Sequence, residues 1–230
     1  MRRLLVVAVV ALLAPGAAAA KSGKSLYAEN CLSCHGVGGS GTSKGPRLRG
    51  VGALGADLYL RTGYMPLQSP HDQPTRRRSP FTRRQIEALV AYVASLGKGP
   101  LVPDPHPRRG SVPVGLRLFT EHCAGCHQVV GEGGYVTGAR VPPLKQATAR
   151  QVAEAVRIGP YVMPRFPKTQ ISDQQLDSIV AYVEWAKHPD DRGGWAIGHI
   201  GPVPEGLVAW LLAGTALVAV CLVVGKRNES

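Results

Sequence analysis

The sequence predicts an all-α chain: two tandem helical modules followed by a single C-terminal transmembrane helix. Three observations carry that reading. One set of sequence elements occurs twice in the same order, each copy closes on an amphipathic stretch with a capping signal, and an uncharged apolar run lies near the C-terminus. At 230 residues the chain has room for one ordinary domain or two small ones, and domains below ~80 residues need a staple beyond their own apolar core. Only 6% of the residues are aromatic, which sharpens that need.

The N-terminus reads as an export signal over residues 1–20. Met1-Arg2-Arg3 is a positive start, Leu4–Leu13 an apolar stretch, and Ala18-Ala19-Ala20 a small-residue cleavage site. An uncleaved anchor is the alternative. The apolar stretch is short against the ~20 residues a span requires, which favours cleavage after Ala20.

The first copy runs from Leu26 to Leu96 through LYAENCLSCH, GPRL, RTGYMP and QIEALVAYV. The second runs from Leu118 to Trp185 through LFTEHCAGCH, PPLK, RIGPYVMP and QLDSIVAYV. Thr82 with Gln85, and Ser172 with Gln175, form capping boxes at the start of the closing helices. Ile86, Leu89, Val90 and Val93 then make one apolar face, matched by Leu176, Ile179, Val180 and Val183. Tyr27 and Phe119 occupy equivalent places on the opening helices, as do Tyr92 and Tyr182 on the closing ones. Each module therefore reads as helix, Cys-His turn, methionine loop, helix. The modules cover 21–97 and 113–188. Five prolines in Gly97–Pro113 make the join over 98–112 an extended spacer. Leu67–Pro80 occurs in the first copy alone and reads as a surface excursion.

Past a glycine-rich membrane-proximal segment over 189–203, the transmembrane helix is expected over 204–225, with a tail at 226–230. Pro204 and Glu205 suit its first turn, and Trp210 suits the outer aromatic belt. Lys226 and Arg227 place the C-terminus in the cytoplasm and both modules on the extracytoplasmic side of the cell membrane, a single-pass arrangement. Cys221 lies within the span as a small lipid-facing or helix-packing residue.

The other four cysteines, Cys31, Cys34, Cys123 and Cys126, form two C-x-x-C-H units with His35 and His127. That spacing reads as covalent haem c attachment, two haems in all, with iron held by the adjacent histidine. Two local disulfides would leave each following histidine unexplained, and a zinc site would leave the methionines unexplained. Apart from Met1, the chain has only Met65 and Met163. Each lies downstream of one motif and before a proline, so each is the expected sixth iron ligand, giving a saturated electron carrier. His71, in the polar excursion, is the competing candidate for the first iron. His106, His122, His188 and His199 have no repeat partner and read as surface or membrane-edge residues. A ligating histidine gives its other ring N–H to a carbonyl, and Pro46 and Pro142-Pro143 mark the turns where that acceptor is expected.

No catalytic constellation is present, so the chain itself is read as a carrier. The net charge of +12 concentrates in Arg76-Arg77-Arg78, Arg83-Arg84 and Arg108-Arg109. Two readings stay open: docking of an acidic redox partner, or a solvated face touching anionic lipid. Export excludes nucleic acid as a partner.

These features together resemble the dihaem cytochrome cc subunit of actinobacterial cytochrome bc1 complexes: two class I cytochrome c domains, an export signal and one C-terminal span. The segment GGWAIGHIGPVPEGLVAW over 193–210 is similar to that subunit's approach to the membrane. The resemblance implies cytochrome b and Rieske iron–sulfur subunits as partners, and an aa3-type oxidase beyond them. It also implies that the first module accepts electrons from the Rieske centre and the second donates to the oxidase copper site. The arginine-rich excursion has no match in it. A tethered carrier for another dehydrogenase or oxidase is the alternative; cbb3-type subunits are anchored at the other end. A dihaem peroxidase would need one iron without a strong sixth ligand.

Overall fold

The computed structural model describes residues 21–188 and 202–228. The expected signal peptide, most of the membrane-proximal segment and the last two residues lie outside them. The chain divides between Val102 and Pro103 into two compact units.

In the first unit, α1 (Gly23–Asn30) leads through Cys31 into the one-turn α2 (Leu32–His35), then α3 (Gly52–Arg61) and α4 (Arg83–Ser95). The Ser22 hydroxyl caps α1, and the expected Thr82–Gln85 box caps α4, so both helices satisfy exposed N–H groups locally. Leu26 and Tyr27 of α1 pack on Ile86 and Leu89 of α4, with Leu60 of α3 closing the cluster. The Tyr27 and Tyr92 rings meet at 5.1 Å.

The second unit repeats the frame. α5 (Val112–His122), α6 (Ala124–His127), α7 (Ala149–Ile158) and α8 (Asp173–Ala186) follow in the same order. The Ser172–Gln175 box caps α8 as expected. Leu118 and Phe119 pack on Leu176, Ile179 and Val183, and the Phe119 and Tyr182 rings meet at 5.3 Å.

The structure adds to the expected module in two ways. A third helix, α3 or α7, stands between the Cys-His turn and the methionine loop. The second unit also carries a hairpin, β1 (Gly134–Val136) antiparallel to β2 (Ala139–Val141), with Tyr135 opposite Arg140. That hairpin is the one sheet element among the described residues of an otherwise helical fold.

The proline-rich join is held at both ends by the units it connects. Leu54 N donates to the Pro100 carbonyl at 3.2 Å, His106 N to Asp177 Oδ1 at 2.7 Å, and Ser111 N to Ser178 Oγ at 3.1 Å. Its first residues therefore belong to the first unit, and its later residues, with a 3₁₀ turn at Pro107–Arg109, lie along α8 in the second. Polar groups on α3 and α8 hold backbone that proline leaves short of helical partners.

Beyond these units, α9 spans Pro202–Asn228. Its 27 residues exceed the ~20 needed to cross a bilayer. Over Gly206–Arg227 none of the apolar surface is buried against protein, so its natural cover is lipid. The Thr215 hydroxyl donates to the Leu211 carbonyl and leaves no unsatisfied polar group on that face.

Candidate functional site: two Cys-x-x-Cys-His turns and their methionine loops

Each motif is a single helical turn hung on the end of an opening helix. In the first, Cys31 N and His35 N close onto the Tyr27 and Cys31 carbonyls at 2.8 Å each. Thr42 Oγ1 donates to the Cys34 carbonyl at 2.6 Å, and Gly41 N to the His35 carbonyl at 2.8 Å, so the following loop folds back beneath the turn. His35 is buried, and its Nδ1 lies 2.7 Å from the Pro46 carbonyl. That contact makes Nδ1 the donor and leaves Nε2 as the lone-pair nitrogen. The proline-turn acceptor expected from sequence is therefore present in the first unit.

The second motif repeats the closure, with Cys123 N to Phe119 O and His127 N to Cys123 O at 2.8 and 2.9 Å. His127 Nδ1 is buried without a formed hydrogen bond. Burial lowers the His127 pKa, and the nearby Pro142 carbonyl opposes that shift, so a neutral ring is favoured. Pro142 stands beside its histidine as Pro46 does, at the end of the hairpin that the first unit lacks.

No disulfide joins Cys31 to Cys34 or Cys123 to Cys126. Burial, followed by the neighbouring Cys34 or Cys126, pushes the Cys31 and Cys123 thiols up to about 11. Among the described residues, no group of three or more Cys, His, Asp or Glu side chains is gathered as a metal cluster.

The methionines fall where the motifs do. Met65 and Cys31 pack against one core cluster, which includes Leu60 and Ile86. Met163 packs against the cluster that includes Cys123, Val152 and Phe166. Each unit thus brings one motif cysteine and the downstream methionine to the same apolar body, with the second cysteine and the histidine on the adjoining turn. That donor set fits an iron porphyrin bound by thioethers, with nitrogen and sulfur available to the iron. His71 is exposed in the excursion and takes no part in the core.

Comparison with known proteins then decides the family. A family model described as Cytochrome c matches residues 20–97, and one described as Cytochrome C oxidase, cbb3-type, subunit III matches residues 110–183. The cytochrome bc1 complex cytochrome c subunit of Mycobacterium tuberculosis (strain ATCC 25618 / H37Rv) is 35% identical over 218 residues, covering 90% of this chain and 78% of that one. The protein of the same description from Corynebacterium diphtheriae is 32% identical over 229 residues, covering 90% and 81%. The chain belongs to this family of bc1-complex cytochrome c subunits. A Cbb3-type cytochrome c oxidase subunit CcoP from Azospirillum sp. (strain B510) is 32% identical over 188 residues, but covers only 70% of this chain and 60% of its own. Membership in the bc1 family extends across most of the chain and accounts for two cytochrome c domains in one polypeptide.

Two contributors to this family member's site were not anticipated. Arg157 of α7 donates to the Phe166 and Ile171 carbonyls and pairs with Asp173, fixing the chain that leaves Met163. Arg77, inside the surface excursion, donates to carbonyls on either side of Met65.

Proposed function

We propose that the chain binds two haem c groups covalently, the first at Cys31 and Cys34 and the second at Cys123 and Cys126. His35 with Met65, and His127 with Met163, would supply the iron ligands. The observation that carries this reading is the convergence, in each unit, of the motif cysteine and the single downstream methionine on one core. When bound, each haem supplies a one-electron Fe(III)/Fe(II) couple. The chain's own residues supply the rest. The Pro46 carbonyl holds the His35 tautomer, and the aromatic pairs fix the opening helices against the closing ones.

As a member of its family, the chain is an electron-transfer subunit of a cytochrome bc1 complex, a respiratory quinol–cytochrome c reductase. It acts there as a carrier without a catalytic site of its own, with cytochrome b and the Rieske protein as neighbours and an aa3-type oxidase as acceptor. α9 anchors it as a single-pass protein, with Lys226 and Arg227 on the cytoplasmic side and both modules outside. The first module accepts from the Rieske centre and the second donates outward. Methionine replacement tests the ligand set. The methionine–iron charge-transfer band of the oxidised protein should fall by about half in Met65→Ala and about half in Met163→Ala, since each removes one of two thioether ligands. An unchanged band in Met65→Ala would transfer the role to another residue, with His71 first in line.

A further inference from the structure

The excursion at 67–80 has no counterpart in the second module, yet it ends on the first module's methionine loop. Arg77 N donates to the Thr62 carbonyl at 3.0 Å, and Arg77 Nε to the Gly63 carbonyl at 2.8 Å. Its Nη2 donates to the Pro66 carbonyl. One guanidinium therefore grips the backbone two residues before Met65 and one residue after it. A planar fork can hold two carbonyls at once, where an ammonium acts as a single point charge. Met65 N donates to the Tyr59 carbonyl at 3.1 Å, so the loop is held from the α3 side as well.

Comparison of the two modules shows what the excursion supplies. Gly63 and Gly159 hold matching places in RTGYMP and RIGPYVMP, with φ of +69° and +64°. Each is pressed by a returning chain: a Cβ on Gly63 would lie 2.2 Å from the Arg77 carbonyl oxygen, and one on Gly159 would lie 2.6 Å from Arg165 N. In the second module the return comes two residues after Met163, and Arg157 of α7 then pins it at Phe166. In the first module the arginine matching Arg157 is Arg61, which is bound to Asp57 one turn back on its own helix. The return there is delayed to residue 77. The crossing strand brings its own arginine.

Building on Met65 as the first module's sixth ligand, we propose that Arg77 is a positioning residue for Met65, and that the excursion is the strap that delivers it. Arg77 takes the place that Arg157 fills in the second module. It holds the loop that presents the thioether sulfur and so sets how readily the first iron position opens to an outside ligand.

The test uses the full-length protein in detergent, with imidazole as the competing ligand. Met65→Ala first defines the Met65-dependent part of the charge-transfer band. Arg77→Ala should weaken that part and let imidazole displace it about tenfold more readily, equivalent to ~1.4 kcal/mol. Arg77→Gln, able to reach one of the two carbonyls, should fall between. Arg78→Ala, which removes the same charge one residue along, should behave as wild type. Wild-type band and imidazole affinity in the Arg77 variants would overturn the proposal even if thermal stability drops. Where the alanine variant does not retain haem, the glutamine variant alone decides. If Met65→Ala leaves the band intact, the ligand assignment fails first and takes the proposal with it.

Discussion

Gly23 and Ala88 touch where the first module's opening and closing helices cross: a Cβ on Gly23 would sit 2.0 Å from the Ala88 carbonyl oxygen. Gly115 and Ser178 repeat the contact in the second module, at 1.9 Å. Both obstacles are backbone, so neither can swing aside.

Replacing either glycine by valine should force the crossing apart, at ~1–3 kcal/mol or more for overpacking. The loss should be confined to the module that carries the change. Thermal unfolding followed by haem absorbance would show one early transition in Gly115→Val. The other module should melt as in the wild type.

Arg157 is buried to 9% exposure and serves two carbonyls and one carboxylate. Arg157→Ala strands those acceptors, and breaking a buried charge-assisted set costs ~3 kcal/mol or more. Arg157→Lys should recover part of this, because one ammonium cannot satisfy three acceptors in the plane of a fork. Urea unfolding of the second module measures both.

Lys168, and behind it Arg157, hold the Asp173 carboxyl below its ordinary range. A depressed folded pKa adds stability that is present above the ordinary aspartate pKa of ~3.9 and lost as pH falls below it. Asp173 is 64% exposed, so solvent screens the effect and keeps it small. The second module's urea midpoint should fall less steeply between pH ~7 and pH ~3 in Asp173→Asn than in wild type.

The features legible in the sequence were local ones. The two C-x-x-C-H turns, the capping boxes at Thr82 and Ser172 and the apolar faces behind them each fit within a few residues. α7 carried the same signal, a Thr148–Gln151 capping box before Val152 and Val156, and could have been read. α3 could not, because Val51 gives it no side-chain cap and its buried Asp57 interrupts the apolar face. The hairpin left only the trace of Thr137-Gly138 at its turn. Arg77 was out of reach for a different reason: its contacts with Gly63 and Pro66 depend on the path of the excursion, and an arginine run reads as surface charge until that path is known. The spacer's partners Asp177 and Ser178 were out of reach in the same way, since they lie far along the chain.

In the proposed function, electrons taken from quinol pass through the two haems of this subunit. The most direct measurement is quinol-driven reduction in the purified native complex, with downstream oxidase blocked and haem c absorbance followed over time. Two haem c per chain should become reduced, and depletion of the Rieske cluster should abolish that reduction while the haems remain reducible by dithionite. If quinol is oxidised at full rate while the haem c of this chain stays oxidised, or if the chain purifies away from cytochrome b, it is not the relay described.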